Sequence, residues 1–256
     1  MKYDLYNNDC MDILPSLSEK VDLVLVDPPY GTTDCMWDNV LTTNRVWDYV
    51  HNCSTSLSSY LFFGSEPFST VLKSSNLDEY KYDWYWIKPK CSGFLHSKNK
   101  PLTNVEHISV FSRGCVAHKN TSDRRMTYNP QGLVKKKNPQ PQKSRRVNKE
   151  TFKNASFKHD TFFSEYTNYP KQTLYFNQVN NPVHPTQKPV PLLEYLIKTY
   201  TEKGDTVLDF TMGSGSTGVA CMNTGRNFVG IEKETEYYLI AEERIREARV
   251  QQRLTQ

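Results

Sequence analysis

The chain has 256 residues and a formal net charge of +4, with 32 Lys or Arg against 28 Asp or Glu. Its length fits one large domain or a domain that carries an insertion. The apolar stretches have strand length, which argues against a membrane span, and no signal peptide is recognisable. Its six cysteines show neither a C-x-x-C pair nor a metal-ligand spacing. The sequence therefore predicts a cytoplasmic protein with reduced thiols and no metal site.

The first 112 residues alternate between strand-like and helix-like segments. Strands are predicted at Tyr3–Asn7, Val21–Val26, Ser59–Gly64, Tyr82–Ile87 and His107–Phe111, and helices at Met11–Leu17, Thr43–Ser56 and Pro67–Ser74. Strands that alternate with helices are typical of βαβ units, whose strands form a parallel sheet.

Between residues 113 and 182 this pattern gives way to a basic, proline-containing segment. From Arg113 to Lys171 there are 14 Lys or Arg and 4 Asp or Glu, whereas the rest of the chain has 18 basic and 24 acidic residues. A basic block within an acidic body is the expected charge pattern for binding a polyanion. Because the segment is rich in aromatic residues, we interpret it as an irregular subdomain; the alternative is a solvated linker.

The alternation resumes after the basic segment. Helices are predicted from Pro189 to Thr201, Thr217 to Asn223 and Thr235 to Arg249, and strands at Thr206–Phe210 and Asn227–Ile231. We therefore expect one discontinuous α/β domain, residues 1–112 and 183–256, interrupted by an insert at 113–182.

Asp27-Pro28-Pro29-Tyr30 follows the apolar run Val21–Val26. The carboxyl ends of parallel strands form the ligand-binding edge of an open α/β sheet. Asp27 and the Pro28 carbonyl can each accept an N–H, and Tyr30 offers an aromatic face, so the four residues suit a planar amine. A plain strand-ending turn is the alternative.

A glycine-rich loop, Gly213-Ser214-Gly215-Ser216-Thr217-Gly218, lies between a predicted strand and a predicted helix. It has the G-x-G-x-x-G pattern of adenosine-ligand sites, and Glu232 ends the next strand, where a carboxylate can bind ribose hydroxyls. A dinucleotide-binding oxidoreductase is one interpretation. Against it, only 24 residues follow Glu232, and hydride transfer has no use for the amine-binding corner or the basic insert.

The order of these motifs resembles that of an S-adenosylmethionine-dependent DNA amino-methyltransferase of the permuted β class. The matching segments are Asn8-Asp9-Cys10, Asp27-Pro28-Pro29-Tyr30, the insert, His184-Pro185-Thr186-Gln187-Lys188-Pro189 and Leu208-Asp209-Phe210-Thr211-Met212-Gly213-Ser214-Gly215. The resemblance implies a Rossmann-like, mostly parallel sheet of seven strands, circularly permuted, with an inserted irregular target-recognition region. One position departs from the family's usual D-P-F-x-G-S-G loop, because Thr211 stands where Phe is usual and Phe210 where Pro is usual.

The resemblance also implies the reaction and its residues. A sulfonium methyl group is transferred in line to the amine of a base that has left the duplex stack. The implied catalytic residues are Asp27, Pro28, Pro29 and Tyr30, with Tyr30 stacking on the base. The residues implied to bind the cofactor are Asp9, Cys10, Asp27, Thr186, Lys188, Asp209, Phe210, Thr211, Gly213, Gly215 and Glu232. His184 is interpreted as a positioning residue.

Duplex DNA is the predicted partner, with Lys and Arg binding phosphates. The residues predicted to contact DNA are Trp37, Lys88, Arg124, Arg125, Lys135, Lys136, Lys137, Arg145 and Arg146. Alternatively, Trp37 is a core residue and the charges form a solvated surface.

The favoured target is adenine N6, because relatives that act on cytosine N4 more often have Ser at the position of Asp27. Three alternatives stay open: a cytosine-N4 enzyme, an inactive DNA-binding relative, and an RNA or protein-amide methyltransferase. The sequence is compatible with a monomer or a homodimer.

Overall fold

The computed structural model describes residues 1–29, 43–116, 123–143 and 161–254. The chain forms two compact units. The larger comprises Met1–Asn129 and Gln172–Gln256, and the smaller comprises Pro130–Lys171. The smaller unit lies within the segment 113–182 that the sequence sets apart as an insert.

Strands and helices alternate through most of the larger unit. In chain order the strands are β1 (Tyr3–Asn7), β2 (Val21–Val26), β3 (Ser54–Gly64), β4 (Tyr80–Ser92), β5 (Thr103–Ser112), β6 (Val134–Lys135), β7 (Pro141–Lys143), β8 (Thr161–Phe163), β9 (Tyr166–Thr167), β10 (Thr173–Tyr175), β11 (Thr206–Asp209) and β12 (Asn227–Glu232). The helices are α1 (Cys10–Ile13), α2 (Thr43–Asn52), α3 (Phe68–Ser75), α4 (Val190–Tyr200), α5 (Ser216–Thr224) and α6 (Thr235–Leu254), and two short 3-10 turns are at Leu14–Ser16 and Phe94–His96.

The larger unit contains a sheet of eight strands in the order β1-β12-β11-β2-β3-β5-β4-β10. All neighbours are parallel except those of β5, which is antiparallel to both β3 and β4. The predicted α/β class with a mostly parallel sheet is therefore confirmed. The described sheet has one strand more than the seven expected, because the three-residue β10 pairs with β4. So short a run, within a segment interpreted as irregular, has no sequence signal of its own.

One predicted helix is too long. The helix expected over Thr43–Ser56 ends at Asn52, and β3 begins at Ser54. Ser54 pairs with Val21 of β2, and the Ser58 hydroxyl donates a 2.7 Å hydrogen bond to the Val21 carbonyl. Strand pairing and these serine contacts therefore override a weak helical pattern.

The sheet is covered by helices on both faces, as the alternation along β2 shows. Leu23 and Leu25 belong to an apolar cluster that includes residues of α4, α5 and α6. Val24 and Val26 belong to a second cluster, which includes residues of α2 and α3. Successive side chains of a strand point to opposite faces, so consecutive apolar residues such as Leu23–Val26 are expected where both faces are buried.

The chain connections diverge between β11 and β2. β11 continues through α5 to β12, and β2 continues through α2 to β3, which lies on its other side. In doubly wound sheets such a switch point opens a crevice at the carboxyl ends of the strands. Asp209 is the last residue of β11 and Asp27 follows the last residue of β2, so both carboxylates lie at this crevice.

The smaller unit contains two short antiparallel pairs, β6 with β9 and β7 with β8. The Asn168 side chain, on a residue with φ of 61°, donates a 2.7 Å hydrogen bond to the Gly132 carbonyl. No helix in the described ranges is long and apolar enough to cross a membrane.

Candidate active site

A cavity of about 200 Å³ lies at the carboxyl ends of β2, β11 and β12. Ten of the eleven residues predicted to bind the cofactor line it, and so does Pro29. These ten are Asp9, Cys10, Asp27, Thr186, Lys188, Asp209, Phe210, Thr211, Gly213 and Glu232. Residues from five separate segments of the chain are thus brought together.

The Glu232 carboxylate is hydrogen-bonded to the backbone of the glycine loop at Gly213. The Gly213 N–H donates to Oε2 of Glu232 at 2.8 Å, and the Glu234 N–H donates to Oε1 at 2.9 Å. Burial raises the pKa of Glu232, although these hydrogen bonds favour the carboxylate. A carboxylate has about four lone-pair sites, so Glu232 can also accept hydroxyl hydrogens. Gly213 has φ of 52°, which only glycine adopts readily.

Gly215, the eleventh predicted residue, is not among the cavity residues. It precedes α5 with φ of 76°, and a Cβ there would lie 2.8 Å from the Cβ of Ala241 in α6. Its lack of a side chain allows α6 to pack closely on the start of α5. The structural role of this glycine is therefore helix packing.

Asp209 is a buried acid that accepts two hydrogen bonds. The Thr217 hydroxyl donates to Oδ2 at 2.6 Å and the Thr211 N–H donates to Oδ1 at 3.2 Å. Burial raises its pKa to about 7, the two hydrogen bonds lower it, and the charges of Asp27 and Glu232 raise it. Thr217 was not among the predicted site residues, because any residue satisfies its position in G-x-G-x-x-G.

Thr211 connects the glycine loop to the corner after β2. Its hydroxyl donates a 3.1 Å hydrogen bond to the backbone carbonyl of Asp27. The preceding residue, Phe210, is only 1% exposed and packs against Phe62, with ring centroids 6.4 Å apart. The departure from the usual loop sequence thus places a buried ring in the core and a hydroxyl at the corner.

Asp27 is the end of a chain of alternating charges. Lys188 donates a short hydrogen bond to Oδ2 of Asp27, and its Nζ lies 3.1 Å from Oε1 of Glu106. Oε2 of Glu106 lies 2.5 Å from Nζ of Lys88. Sequence reasoning missed Glu106, because a single carboxylate in the mixed sequence of β5 does not stand out.

The charges in this chain stabilise one another despite burial. Burial by itself would lower the pKa of Lys188, but the Asp27 and Glu106 carboxylates outweigh it and raise the pKa. Burial by itself would raise the pKa of Glu106, but Lys188 and Lys88 outweigh it and lower the pKa. Paired charges are the usual way in which ionised groups stay buried. Lys188 therefore places a buried cation directly against the Asp27 carboxylate.

His184 lies over the glycine loop as a neutral ring. The Thr186 N–H donates to Nδ1 at 3.3 Å, so Nδ1 is the acceptor. Burial, with a further contribution from Lys188, lowers the pKa of His184 to about 4. The ring contacts Tyr237 of α6 edge-on, with centroids 4.2 Å apart. Sequence reasoning missed Tyr237, because an aromatic residue in a long helix has no distinguishing pattern.

Asp9 and Cys10 lie after β1. The Asp9 carboxylate caps α1 by accepting the Met11 N–H at 2.9 Å, and it lies 3.2 Å from Nζ of Lys233. The Met11 hydrogen bond is the main cause that lowers the pKa of Asp9. Burial raises the pKa of the Cys10 thiol to about 12, so Cys10 stays protonated and is not a nucleophile.

Several predicted residues lie elsewhere. Tyr30, Trp37, Arg145 and Arg146 are outside the described residues. Lys135, Lys136 and Lys137 belong to the smaller unit, where the Lys136 N–H donates to the Glu165 carbonyl at 2.9 Å. Lys88 is directed at Glu106, as described above.

Arg124 and Arg125 lie at the opposite edge of the sheet from Asp27. The Cys115 N–H donates to the Arg124 carbonyl at 2.7 Å, and Cys115 follows the carboxyl end of β5. Because β5 is antiparallel to β3, this end lies at the amino ends of the parallel strands. The two arginines and the cavity are therefore far apart in the larger unit.

Comparison with known proteins identifies one family over most of the chain. A model of the N6/N4 DNA methylase family matches residues 21–243. The type II methyltransferase M2.DpnII of Streptococcus pneumoniae is 52% identical over 62 residues, which are 24% of this chain and 23% of that protein. The chain thus aligns with less than a quarter of that relative's length.

Two solved structures share the fold over almost the whole chain. The M1.HpyAVI–SAM complex has a TM-score of 0.64 at 22% identity, and the alignment covers 94% of this chain and 99% of the other. The cytosine-N4-specific PvuII DNA methyltransferase has a TM-score of 0.62 at 17% identity, and the alignment covers 98% of this chain and 93% of the other.

Proposed function

The chain belongs to the N6/N4 DNA methylase family, and we propose that it transfers a methyl group from S-adenosylmethionine to adenine N6 of a base flipped out of duplex DNA. S-adenosylmethionine is the cofactor of this family. The observation that carries the proposal is the hydrogen bond from Lys188 to the Asp27 carboxylate beside a cavity at the switch point of the sheet.

The cavity residues fit this cofactor. S-adenosylmethionine has a sulfonium and an ammonium group, and five acidic residues line the cavity: Asp9, Asp27, Asp209, Glu232 and Glu234. Opposite charges attract most strongly where water is excluded. We propose that Glu232 binds the ribose hydroxyls and that Asp9 and Cys10 meet the adenine. Gly213 lines the cavity without a side chain and leaves room for close backbone approach.

The proposed mechanism depends on positioning at the corner. When bound, the cofactor supplies an electrophilic methyl group. Asp27 accepts one hydrogen of the target amine and the Pro28 carbonyl accepts the other, which directs the nitrogen lone pair at the methyl group. Asp27 also takes the proton that the amine loses. Because Oδ2 already accepts from Lys188, the carboxylate keeps a single orientation. Stacking of the base on Tyr30 stays a prediction.

The preference for adenine rests on one residue. The fold does not discriminate between adenine and cytosine as the target, since the PvuII enzyme, which is cytosine-N4-specific, shares it. Asp27 at the first position of the corner favours adenine N6, because relatives specific for cytosine more often have Ser there. Cytosine N4 is the second candidate, which the PvuII likeness favours.

We further propose that residues 113–182 recognise the target DNA and that residues 1–112 and 183–256 form the catalytic domain. The charge of the segment from Arg113 to Lys171 supports this division. In chain order the corner after β2 precedes the insert and the glycine loop after β11 follows it, which supports the permuted β class. Lys135, Lys136 and Lys137 are the described candidates for phosphate contacts.

A mass-spectrometric assay tests the proposed reaction. Unmodified plasmid DNA is incubated with the protein and cofactor, digested to nucleosides and analysed. We expect N6-methyladenine from the wild type, none from Asp27→Ala, and an undiminished amount from Asp48→Ala, which changes an exposed carboxylate of α2. N4-methylcytosine would contradict the adenine assignment, and methylation of RNA or protein instead of duplex DNA would contradict the proposed substrate.

A further inference from the structure

The hairpin of β4 and β5 ends in an exposed apolar tip. Phe94 is 70% exposed and Leu95 is 97% exposed. The tip is nonetheless an ordered turn: Gly93 has φ of 89°, and the Asn99 and Lys100 N–H groups donate to the His96 carbonyl at 2.8 and 3.0 Å. Two large apolar side chains are therefore held out in solvent by a defined backbone.

The tip is also basic. Between residues 88 and 103 there are four lysines and no Asp or Glu. Lys88 is paired with Glu106, whereas Lys90, Lys98 and Lys100 are exposed and have no carboxylate partner in the described part of the chain. Apolar side chains surrounded by unpaired positive charge suit a polyanion with an apolar interior. Duplex DNA is such a polymer, because its charged phosphates enclose stacked bases.

The tip projects from the same edge of the sheet as Asp27. β2 is parallel to β3, β3 is antiparallel to β5, and β5 is antiparallel to β4. The carboxyl end of β4 therefore lies at the edge where β2 ends. Across the sheet, three strand spacings, about 14 Å, separate β4 from β2. Along the strands, Val26 at the end of β2 is level with Asp83 of β4, so the hairpin extends beyond the corner before it reaches Phe94. The ion pairs Lys88–Glu106 and Lys188–Glu106 join the base of the hairpin to the residue that holds Asp27.

We propose that the Phe94–Leu95 tip inserts into duplex DNA beside the target base and that Lys90, Lys98 and Lys100 bind the flanking phosphates. The inference rests on the proposed function, since it explains how a base reaches the corner. Apolar wedges between base steps unstack and kink a duplex, and the target base must leave the stack before its amine can react. A second copy of the chain is a less suitable partner, because like-charged tips repel.

The decisive test compares paired and unpaired targets. Wild-type protein first methylates plasmid DNA from a methylation-deficient host, and single-molecule sequencing identifies its site. Two short duplexes with that site follow, one fully paired and one with an abasic site opposite the target base. We expect the variant F94A/L95A to methylate the paired duplex at least about tenfold more slowly than wild type, but the abasic duplex less than about threefold more slowly, since that base needs little unstacking.

The control variant is V250A. Val250 is 52% exposed near the end of α6, which starts at the carboxyl end of β12 and runs to the opposite edge. We expect wild-type rates from V250A on both duplexes. Because Phe94 and Leu95 contribute little to the core, F94A/L95A should also keep the wild-type melting temperature and cofactor affinity.

A salt titration tests the lysines on non-specific duplex DNA. We expect K98Q/K100Q to bind more weakly than wild type and to have a smaller slope of log affinity against log salt, by up to about 1.8 for two lost phosphate contacts.

The outcomes separate this inference from the proposed function. Absence of DNA methylation by the wild type would contradict the proposed function itself. An active wild type with equal slowing of F94A/L95A on both duplexes, or no slowing on either, would overturn the insertion of the tip. A change of sedimentation from dimer to monomer in F94A/L95A would instead assign the tip to self-association.

Discussion

The Thr211 hydroxyl donates a 3.1 Å hydrogen bond to the backbone carbonyl of Asp27. This contact joins the carboxyl ends of β11 and β2, the two strands between which the chain connections diverge. It is made by the residue that departs from the family's usual loop sequence. The loop proposed to bind the cofactor and the corner proposed to bind the base are thus held in one arrangement.

Replacing Thr211 by Val should uncouple the loop from the corner. Val keeps the shape but removes the hydroxyl, whose net worth as one hydrogen bond is about 1 kcal/mol. We expect kcat to fall about fivefold while the dissociation constant of the cofactor changes little. Single-turnover kinetics and calorimetric titration measure the two quantities. Thr211→Ser should keep the wild-type rate; equal rates in wild type and Thr211→Val would show that the hydrogen bond has no part in positioning.

Replacing Lys188 by Met should destabilise the larger unit. The change leaves the Asp27 and Glu106 carboxylates close together without the cation between them. Breaking a buried ion pair from one side costs about 3–5 kcal/mol, and urea unfolding measures the loss. Adding Glu106→Gln to Lys188→Met should recover part of the stability by removing one of the two carboxylates. Purely additive losses in the double variant would argue against coupling between the two residues.

Asp209 should make the cofactor-free protein less stable as the pH rises. Its pKa is about 7 in the folded protein, compared with the ordinary value of 3.8 that applies to the unfolded chain. Between these values the folded form binds more protons than the unfolded form, so its contribution is present below about pH 4 and lost as the pH rises through about 7. Asp209→Asn cannot ionise. We expect it to gain melting temperature relative to wild type from about pH 5 to about pH 8, as followed by calorimetry; a constant difference would contradict the raised pKa.

Replacing the two glycines of the loop by Ala should affect different properties, cofactor binding at Gly213 and stability at Gly215. Gly213→Ala strains a residue with φ of 52° in the cavity lining, at a cost of about 1–2 kcal/mol, and should weaken cofactor binding about tenfold. Gly215→Ala brings a Cβ to within 2.8 Å of Ala241 and should chiefly lower the melting temperature. Fluorescence titration and thermal unfolding of both variants measure this split. Indistinguishable profiles would mean that the two positions share one role.

Local sequence patterns were sufficient for most of the elements. The mainly apolar run Val21–Val26 predicts a strand buried on both faces, because a strand with one solvated face would alternate between apolar and polar residues. The glycine-rich loop is recognisable from the sequence because Gly213 and Gly215 have positive φ, a conformation that favours glycine. Patterns that extend over a few neighbouring residues are therefore readable without a fold.

Contacts between distant residues were not readable. Glu106 is a single carboxylate in β5, and only the fold brings it to Lys188, 82 positions further along the chain. Likewise, β10 becomes a strand only because β4 offers it an edge. Neither contact has a sequence signal, since the energy of each depends on a partner that is far away in the chain.

The sequence by itself determined the α/β class, the motif order and most of the residues that line the cavity, since these follow from periodicity, from residues with special backbone geometry and from family resemblance. The tertiary structure alone decided that Lys188 holds Asp27, that Gly215 serves helix packing, and that Phe94 and Leu95 stand exposed at the same edge as Asp27. The physical reason is that burial and charge pairing belong to the folded arrangement and not to any short stretch of chain.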